Sequence, residues 1–283
     1  MNPRATLSPA SGWSLSFCCR PAGLHAAMLP LLLASARQVL THRVCSPMSF
    51  LLHNPVLSPL RVAAWRVLTR ILAARNLAVV SAGNEPERQQ FYELLRETRT
   101  RTNMVLQDGE AYSIYSGVVE TSKVTGAVAE VGVYKGGSAR LISSVKGDRE
   151  LHLFDTFEGL PPVSPEYDRT FREGSFRGSL TEVQALLGGE RNIRFHKGLF
   201  PGSAAGLEDL RFSFVHIDVD LYESTKGCLE WFYPRMTAGA MLISHDFADA
   251  EGVRRAFRQF FADKPEVLIE LSGTQVAFIR AVS

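Results

Sequence analysis

Two acidic residues and a histidine follow apolar segments at positions where strands of a sheet would end. Asp218 lies in the segment HIDVDLY, residues 216–222, and His245–Asp246 closes the apolar run that starts at Ala240. Carboxylates and imidazole groups bind divalent cations and exchange protons. The sequence therefore predicts a metal or proton-transfer site made by Asp218, His245 and Asp246, with Asp218 and His245 as the catalytic candidates.

The elements around these residues predict that they meet at one edge of a sheet. The apolar runs 212–217 and 240–243 are predicted strands, and the segment 223–236 between them has helical spacing. Strand–helix–strand units form parallel sheets, whose ligands bind beyond the carboxyl ends of the strands. A simpler interpretation is also open, in which each acid only caps the helix that follows it.

A second pattern predicts a cofactor that contains a nucleoside. The apolar run 127–131 leads into a glycine-rich turn that begins at Gly132, and the next predicted strand ends in Asp155, 23 residues after Gly132. An acid at about this distance binds the ribose hydroxyls of a nucleoside. NAD and S-adenosylmethionine (SAM) both satisfy this arrangement. The turn lacks the Gly-x-Gly-x-x-Gly spacing that a pyrophosphate favours, and Glu130 suits a cationic ligand, so the pattern favours SAM.

Four segments in order along the chain resemble motifs of a known family. They are EVGVYKGGS (130–138), FDTFEGLP (154–161), KGLFP (197–201) and HIDVDLYEST (216–225). Together they resemble the macrocin and mycinamicin sugar O-methyltransferases of the TylF/MycF type, and the resemblance spans about residue 100 to the C-terminus. It implies O-methylation of a small-molecule hydroxyl, such as a sugar of a natural product or glycoconjugate.

The resemblance also implies an α/β fold of the Rossmann-like class I methyltransferase type. Such a fold has a seven-stranded, mostly parallel sheet with an antiparallel last strand. Apolar runs supply seven candidate strands near 127–132, 150–154, 192–196, 212–217, 239–243, 266–271 and 275–280. Ser272–Thr274 predicts a hairpin between the last two.

The family further implies SAM as methyl donor, a divalent cation, and an oligomer such as a homodimer in which N-terminal helices help to enclose the acceptor. Magnesium is the usual cation, with manganese an alternative. The implied cofactor-binding residues are Glu130, Gly132, Tyr134, Gly136, Ser138, Asp155 and Gly198. The implied metal ligands are Asp218, His245 and Asp246.

The chain departs from the family at one position that bears on the chemistry. Family members generally have two adjacent acids where this chain has His245 and Asp246. Magnesium strongly prefers oxygen ligands, so His245 could change the metal, abolish its binding or act as the general base. Asp220 shares a face with Asp218 on an extended chain and could supply the missing carboxylate.

Charge and composition divide the 283 residues into three predicted regions. The first 84 residues contain eight Arg and no acidic residue, whereas the remainder has 23 basic and 29 acidic residues. This acidic remainder argues against nucleic-acid binding. We predict a disordered or targeting leader (1–57), a helical region that forms lid or oligomer contacts (58–125) and a SAM-binding domain (126–283).

The leader leaves several interpretations open. Its apolar run 26–34 is interrupted by Pro30 and is too short to span a bilayer. A signal peptide, a transit peptide and a natural start at Met48 are all compatible with it. The predicted basic helix 58–75 suits either packing or a membrane surface. A cytoplasmic location is expected, with targeting or membrane-surface association left open.

Other tempting residues receive simple interpretations. Of the four cysteines, Cys228 is predicted to be a buried small side chain and no disulfide framework is indicated. His152 and His216 are predicted to be structural, and His196 to lie in a loop. The polar insertion 162–178 is either a surface loop or a lid over the acceptor. Two other functions stay open: an NAD(P)-dependent oxidoreductase, and a catalytically silent scaffold at a membrane.

Overall fold

The structure is a computed structural model that describes residues 86–281 together with Val67. Residues 86–281 belong to one compact unit. The predictions for the leader, its cysteines and the basic helix 58–75 lie outside the described residues, apart from Val67, which is helical and exposed. No helix in the described part of the chain is long and apolar enough to cross a bilayer.

Two helices precede the sheet. Helix α1 spans Pro86–Arg101, and a proline in the first turn suits a helix start because its missing N–H has no intrahelical partner there. Helix α2 spans Asp108–Glu120, and the Glu110 side chain accepts a hydrogen bond from the backbone N–H of Gln107. This contact satisfies a backbone donor just before the helix and fixes where α2 begins.

The predicted seven-stranded sheet is confirmed. Its order is β3-β2-β1-β4-β5-β7-β6, in which the first five strands are parallel and β7 runs antiparallel to both neighbours. The strands are β1 (Ala127–Val131), β2 (Leu151–Asp155), β3 (Ile193–Lys197), β4 (Phe212–Ile217), β5 (Met236–Ser244), β6 (Ile269–Glu270) and β7 (Val276–Ile279). The predicted hairpin at Ser272–Thr274 joins β6 to β7.

Four further helices connect the strands: α3 (Gly137–Val145), α4 (Leu180–Leu186), α5 (Tyr222–Phe232) and α6 (Glu251–Phe260). One face of the sheet packs against α5 and α6, with Phe232 and Phe257 in its core. The other face packs against α1, α2 and α3, and its core contains Phe91, Ile114 and Leu141. Helices α1 and α2 therefore share a core with the sheet. The sequence-based division instead assigned them to a separate helical region, residues 58–125.

The crossovers place a crevice between β1 and β4. Helix α3 follows β1 on one face of the sheet, and α5 follows β4 on the opposite face. These two strands are neighbours, so their following helices diverge from one point. Ligands of open α/β sheets bind at such a switch point, beyond the carboxyl ends of the strands.

Candidate functional site

A cleft opens at this switch point. Its empty space, including the open mouth, is about 1130 Å³, and it lies beyond the ends of β1, β2, β4 and β5. Its lining includes Gly132, Asp155, Asp218 and His245. The lining combines apolar side chains with a few polar groups, as is typical of sites that bind small ligands.

The glycine turn after β1 lies directly against Asp218, the first residue after β4. Gly132 has a φ of +88°, and a β-carbon on it would collide with the backbone carbonyl of Asp218. At the end of the turn, Gly136 has a φ of +79° and precedes the first residue of α3. Glycine is needed at both positions because other residues rarely adopt these conformations. The turn and Asp218 consequently form one wall of the cleft.

Asp155 holds the glycine turn in place. Its Oδ2 accepts hydrogen bonds from the backbone N–H groups of Val133 (2.7 Å) and Tyr134 (2.8 Å). Its Oδ1 accepts one from Phe157 (2.6 Å). The carboxylate lines the cleft, and Oδ1 retains a lone pair for a further donor. Binding of ribose by Asp155 therefore stays a prediction, and the structure adds an architectural role for the same side chain.

The other predicted cofactor residues divide into two groups. Tyr134, Ser138 and Gly198 line the cleft, whereas Glu130 and Gly136 do not. A β-carbon on Gly136 would face Val183 and Leu186 of α4. A side chain at this position would therefore point into the protein and not into the cleft.

Glu130 lies inside β1 rather than beyond its end. Its side chain is fully buried, and Oε1 is 2.9 Å from Nδ1 of His216 on the neighbouring strand β4. The alternation of side chains along a strand turns Glu130 toward the helix-covered face that also contains Val128. The structure therefore does not support the predicted direct contact between Glu130 and a cofactor. The structural role predicted for His216 agrees with its complete burial.

Three predicted ligands, one of them Asp218, come together in the cleft next to the glycine turn. Nδ1 of His245 lies 3.0 Å from Oδ1 of Asp246 and 3.5 Å from Oδ1 of Asp218. One ligand atom from each of these three residues lies within 4.8 Å of the other two. The sequence-based prediction that they meet at one sheet edge is confirmed.

Glu110 is a fourth member of this group that sequence reasoning missed. It lies in the first turn of α2 and is only 2% exposed, and Oε1 is 3.2 Å from Nε2 of His245 without the alignment of a hydrogen bond. Oε1 also accepts a hydrogen bond from the backbone N–H of Thr274 at 2.9 Å. The Gln107-x-x-Glu110 capping pattern could have marked this residue as a helix start, but nothing local indicates its contact with His245.

The charges of the group follow from this packing. Burial acts to lower the pKa of His245, but Asp246, Glu110 and Asp218 outweigh it and raise the pKa to about 11. His245 is then an imidazolium at neutral pH and has no lone pair for accepting a proton. This state does not support the prediction that His245 is a general base, and a metal would bind its nitrogen only after displacing the proton.

The carboxylic acids of the group differ in protonation. Burial raises the pKa of Asp218 to about 6 and, with the charge of Asp218, that of Asp220 to about 9. Burial also acts to raise the pKa of Asp246, but the hydrogen bond to His245 outweighs it and the net shift is downward. Asp220 therefore holds a proton at neutral pH, which does not support its predicted role as a replacement carboxylate. Asp218 has the pKa that suits a general base.

The donor set fits a divalent cation other than magnesium. Asp218 and Asp246 offer oxygen atoms and His245 offers Nδ1, while Nε2 faces the carboxylate of Glu110. A histidine that binds a metal commonly has a carboxylate at its second nitrogen. Imidazole suits transition metals, whereas magnesium prefers oxygen ligands.

Glu110→Gln is expected to lower the free energy of unfolding at pH 7 by about 3 kcal/mol. Burial acts to raise the pKa of Glu110, but His245 and two backbone N–H groups outweigh it and lower the pKa to about 2, from a usual 4.5. A lowered pKa stabilises the fold fully above about pH 4.5, and this contribution is lost as the pH falls toward 2.

Urea unfolding at pH 7, 4 and 3 would measure the effect of Glu110→Gln. The difference from the unsubstituted protein should shrink as the pH falls. The exposed Glu120 on the same helix provides the control variant Glu120→Gln, for which we expect little change. A difference that stays constant over this pH range would contradict the role of the Glu110 charge.

The two other histidines among residues 86–281 lie away from the cleft lining. His196 is in β3 rather than in the predicted loop, and its Nε2 lies 3.0 Å from Nδ1 of His152. Its ring stacks on Phe154 with centroids 4.5 Å apart. His152 is 3% exposed, in agreement with its predicted structural role. Cys228 is buried as predicted, although it also lies at the floor of the cleft.

Two segments of the lining come from outside the strand ends, in the regions 58–125 and 162–178 and the motif 154–161 that the sequence analysis singled out. Residues 103–106, between α1 and α2, cross the glycine turn, and a β-carbon on Gly137 would collide with Met104. Leu160, Pro161 and Phe176 come from the long connection between β2 and α4. The ring of Phe176 packs edge-on against that of Tyr134, with centroids 6.0 Å apart.

Comparisons with known proteins agree with this geometry. The family model described as "Macrocin-O-methyltransferase (TylF)" matches residues 113–278, which include the glycine turn, Asp155, Asp218, His245 and Asp246. A tetracenomycin-C 4'-O-methyltransferase from Streptomyces olivaceus, specific by its name for a dimethoxy-rhamnosyl derivative, is 33% identical over 44% of this chain and 54% of its own length. Demethyldecarbamoylnovobiocin O-methyltransferase from Streptomyces niveus is 28% identical over the same shares. The chain spans about half the length of these relatives.

Solved structures show the same fold. The O-methyltransferase NovP is 25% identical with a TM-score of 0.59, covering 67% of this chain and 88% of NovP. The calicheamicin methyltransferase CalS11 is 20% identical with a TM-score of 0.52, covering 70% of this chain and 94% of CalS11, and this likeness concerns the fold alone. These matches support neither the oxidoreductase nor the scaffold alternative.

Proposed function

The chain belongs to the macrocin-O-methyltransferase (TylF) family, and from this premise we propose that it transfers a methyl group from SAM to a hydroxyl group of a small molecule. One observation carries the proposal: the glycine turn after β1 packs against the backbone of Asp218, and the turn and Asp218 line a single cleft. A methyl donor bound on the turn would lie next to a group that can accept a proton.

The cofactor supplies an electrophilic methyl group on a positively charged sulfur. The protein's contribution is to bind it in a fixed orientation, since an in-line displacement depends on alignment. In our proposal the backbone of the turn, Tyr134 and Ser138 hold the amino-acid portion. Oδ1 of Asp155 accepts a hydrogen bond from a ribose hydroxyl. This oxygen accepts one hydrogen bond from the backbone, whereas Oδ2 accepts two.

Asp218 is the proposed base for the acceptor hydroxyl. Its raised pKa lies close to neutral pH, where a carboxylate combines a useful ionised fraction with affinity for a proton. Asp246 and the imidazolium of His245 lie beside it and fix the local charge. The raised pKa of Asp220 keeps this residue protonated and leaves Asp218 to receive the proton.

A divalent cation is a further part of the proposal. Asp218, Asp246 and Nδ1 of His245 would hold it, and a cation at this position lowers the pKa of a hydroxyl bound to it. The nitrogen ligand favours manganese, iron or zinc over magnesium.

The proposed acceptor is a sugar hydroxyl of an uncharged natural product or glycoconjugate. The Streptomyces relatives are named for methylation of a rhamnosyl-tetracenomycin and a novobiocin precursor. Among the described residues of the cleft lining there is no Arg or Lys, the side chains that would neutralise a phosphate. Val105 and Leu199, 67% and 56% exposed, give the mouth apolar surface for the body of such a molecule.

Calorimetry with S-adenosylhomocysteine and with NAD tests the cofactor assignment. We expect saturable binding of S-adenosylhomocysteine and none of NAD. Transfer of the methyl group from isotopically labelled SAM to a panel of uncharged glycosides, with the corresponding sugar phosphates as controls, tests the acceptor. Binding of NAD alone would contradict the proposed function, and labelling of the sugar phosphates in preference to the glycosides would contradict the acceptor class.

A further inference from the structure

The long connection between β2 and α4 contains an ordered loop. We define the lid loop as residues 160–175, because backbone hydrogen bonds close it at its base: Leu160 N–H donates to Ser175 (2.8 Å) and Gly174 N–H donates to Leu160 (2.9 Å). Next to this base, Phe176 lines the cleft. The far end of the loop contacts α5, where the rings of Tyr167 and Tyr222 lie 4.5 Å apart.

Asp168 in the lid loop is a buried carboxylate that caps α5. It is 3% exposed, and Oδ1 accepts a hydrogen bond from the backbone N–H of Tyr222, the first residue of α5, at 3.0 Å. Its Oδ2 lies 3.4 Å from the N–H of Ser164 within the loop. The positive end of a helix dipole stabilises a carboxylate at this position. No residue adjacent to Tyr222 in sequence supplies this cap.

The same carboxylate lies against the first turn of α6. A β-carbon on Gly252, the second residue of α6, would collide with Oδ1 of Asp168 and would lie 3.1 Å from the backbone nitrogen of Tyr222. Gly252 therefore allows the first turns of α5 and α6 to approach each other around Asp168. One carboxylate from the lid loop occupies the point where two helix starts converge.

These two helices follow the two turns that carry the acidic site. Asp218 and Asp220 are four and two residues before Tyr222 at the start of α5, and Asp246 is five residues before Glu251 at the start of α6. Asp220 and Asp246 have φ angles of +61° and +62°, a region that non-glycine residues rarely adopt. Such conformations persist only where the surrounding structure enforces them. The start of each helix is a part of that structure.

We propose that Asp168 is a positioning residue for the acidic site. By joining the first turns of α5 and α6, it fixes the turn that presents Asp218 and the turn that presents Asp246. Ordering of the lid loop and assembly of the acidic site are thereby coupled. The structural part of this inference stands on the contacts, and its kinetic consequence rests on the proposed methyl transfer.

Two variants test the inference from opposite sides of the contact. Asp168→Ala removes the carboxylate, and Gly252→Ala keeps it but separates it from α6. Both are expected to lower kcat by about 100-fold, because a misplacement of about 1 Å at a reacting group has that effect. The Kd for S-adenosylhomocysteine should stay nearly constant, since the glycine turn and Asp155 are untouched.

Ser179→Ala is the matched control. Ser179 caps α4, where its side chain accepts a hydrogen bond from the N–H of Glu182. This substitution also removes a helix cap, but its helix does not follow a residue of the acidic site. We expect a fall in Tm without a comparable loss of kcat. A loss of kcat in Asp168→Ala or Gly252→Ala no greater than that in Ser179→Ala would overturn the inference.

Hydrogen exchange followed by mass spectrometry provides a readout that does not require turnover. In Asp168→Ala, peptides that cover 218–224 and 245–253 should exchange faster, together with the lid loop. Faster exchange confined to the lid loop would show that Asp168 does not hold the two turns. The exchange experiment can be interpreted even if the unsubstituted protein methylates no acceptor. Failure of the inference and failure of the proposed function are therefore distinguishable.

Discussion

Asp218→Asn is expected to lower kcat for methyl transfer by about 10³-fold, within the range that removal of a general base produces. The amide has nearly the shape of the carboxylate but cannot accept the proton of the acceptor hydroxyl. The backbone carbonyl of Asp218, which contacts the glycine turn, is unchanged. The Kd for S-adenosylhomocysteine, measured by calorimetry, should therefore change little while the steady-state rate falls.

The exposed Asp209 offers a matched control for this substitution. Asp209→Asn removes one carboxylate from the surface outside the cleft and should leave kcat unchanged. A kcat in Asp218→Asn within a few fold of that of Asp209→Asn would show that Asp218 is not the base. An equal loss of cofactor binding would instead assign Asp218 to the binding of SAM.

Removal of divalent cations with EDTA is expected to lower kcat by about 100-fold or more, because a catalytic cation contributes several kcal/mol of charge stabilisation in the transition state. Manganese should restore the rate more fully than magnesium, because Nδ1 of His245 is one of the three donors. His245→Asp restores the pair of adjacent acids that the family generally has. This variant presents only oxygen ligands, so magnesium should become at least as effective as manganese.

His216→Gln is a suitable comparison for the metal experiment. His216 is a buried histidine that contacts Glu130 rather than the cleft. Its substitution should leave the order of metals unchanged, whatever it does to stability. Full activity after exhaustive chelation would remove the cation from the proposed function and leave Asp218 as the base. An unchanged preference in His245→Asp would show that His245 is not a ligand.

Much of the fold follows from local patterns. The central strands β1, β2, β4 and β5 coincide with apolar runs, whereas β3 (Ile193–Lys197) and β6 (Ile269–Glu270) are more polar, and the Ser272–Thr274 turn identifies the terminal hairpin. The predicted strand ends also locate the acidic residues of the site, because parallel strands place their carboxyl ends at one edge of the sheet. Asp155, Asp218 and Asp246 could be predicted to meet for this reason alone.

Other parts of the site depend on contacts between residues that are far apart in sequence. Glu110 reaches His245 across 135 positions, and Asp168 reaches Tyr222 across 54. Neither pairing leaves a local pattern, since each acid also fits an ordinary helix start or loop. The position of Glu130 depends on where β1 ends, because one residue of difference moves a side chain to the other face of the sheet.

The protonation states of the acidic residues and of His245 could not be predicted from the sequence. The identities of Asp218, Asp220 and His245 suggest two anions and a neutral imidazole. Burial and mutual proximity instead give a protonated Asp220 and a cationic His245. Both pKa values are raised, and that of His245 depends on the distances of 3.5 and 3.0 Å from its Nδ1 to Asp218 and Asp246, which only the folded chain defines.

A crystal grown with S-adenosylhomocysteine and manganese tests the central claim most directly. We predict density for the nucleoside beside Asp155, the cofactor sulfur facing Asp218, and an anomalous peak of manganese bounded by Asp218, His245 and Asp246. Cofactor density elsewhere on the protein, or a sulfur that faces away from Asp218, would contradict the account.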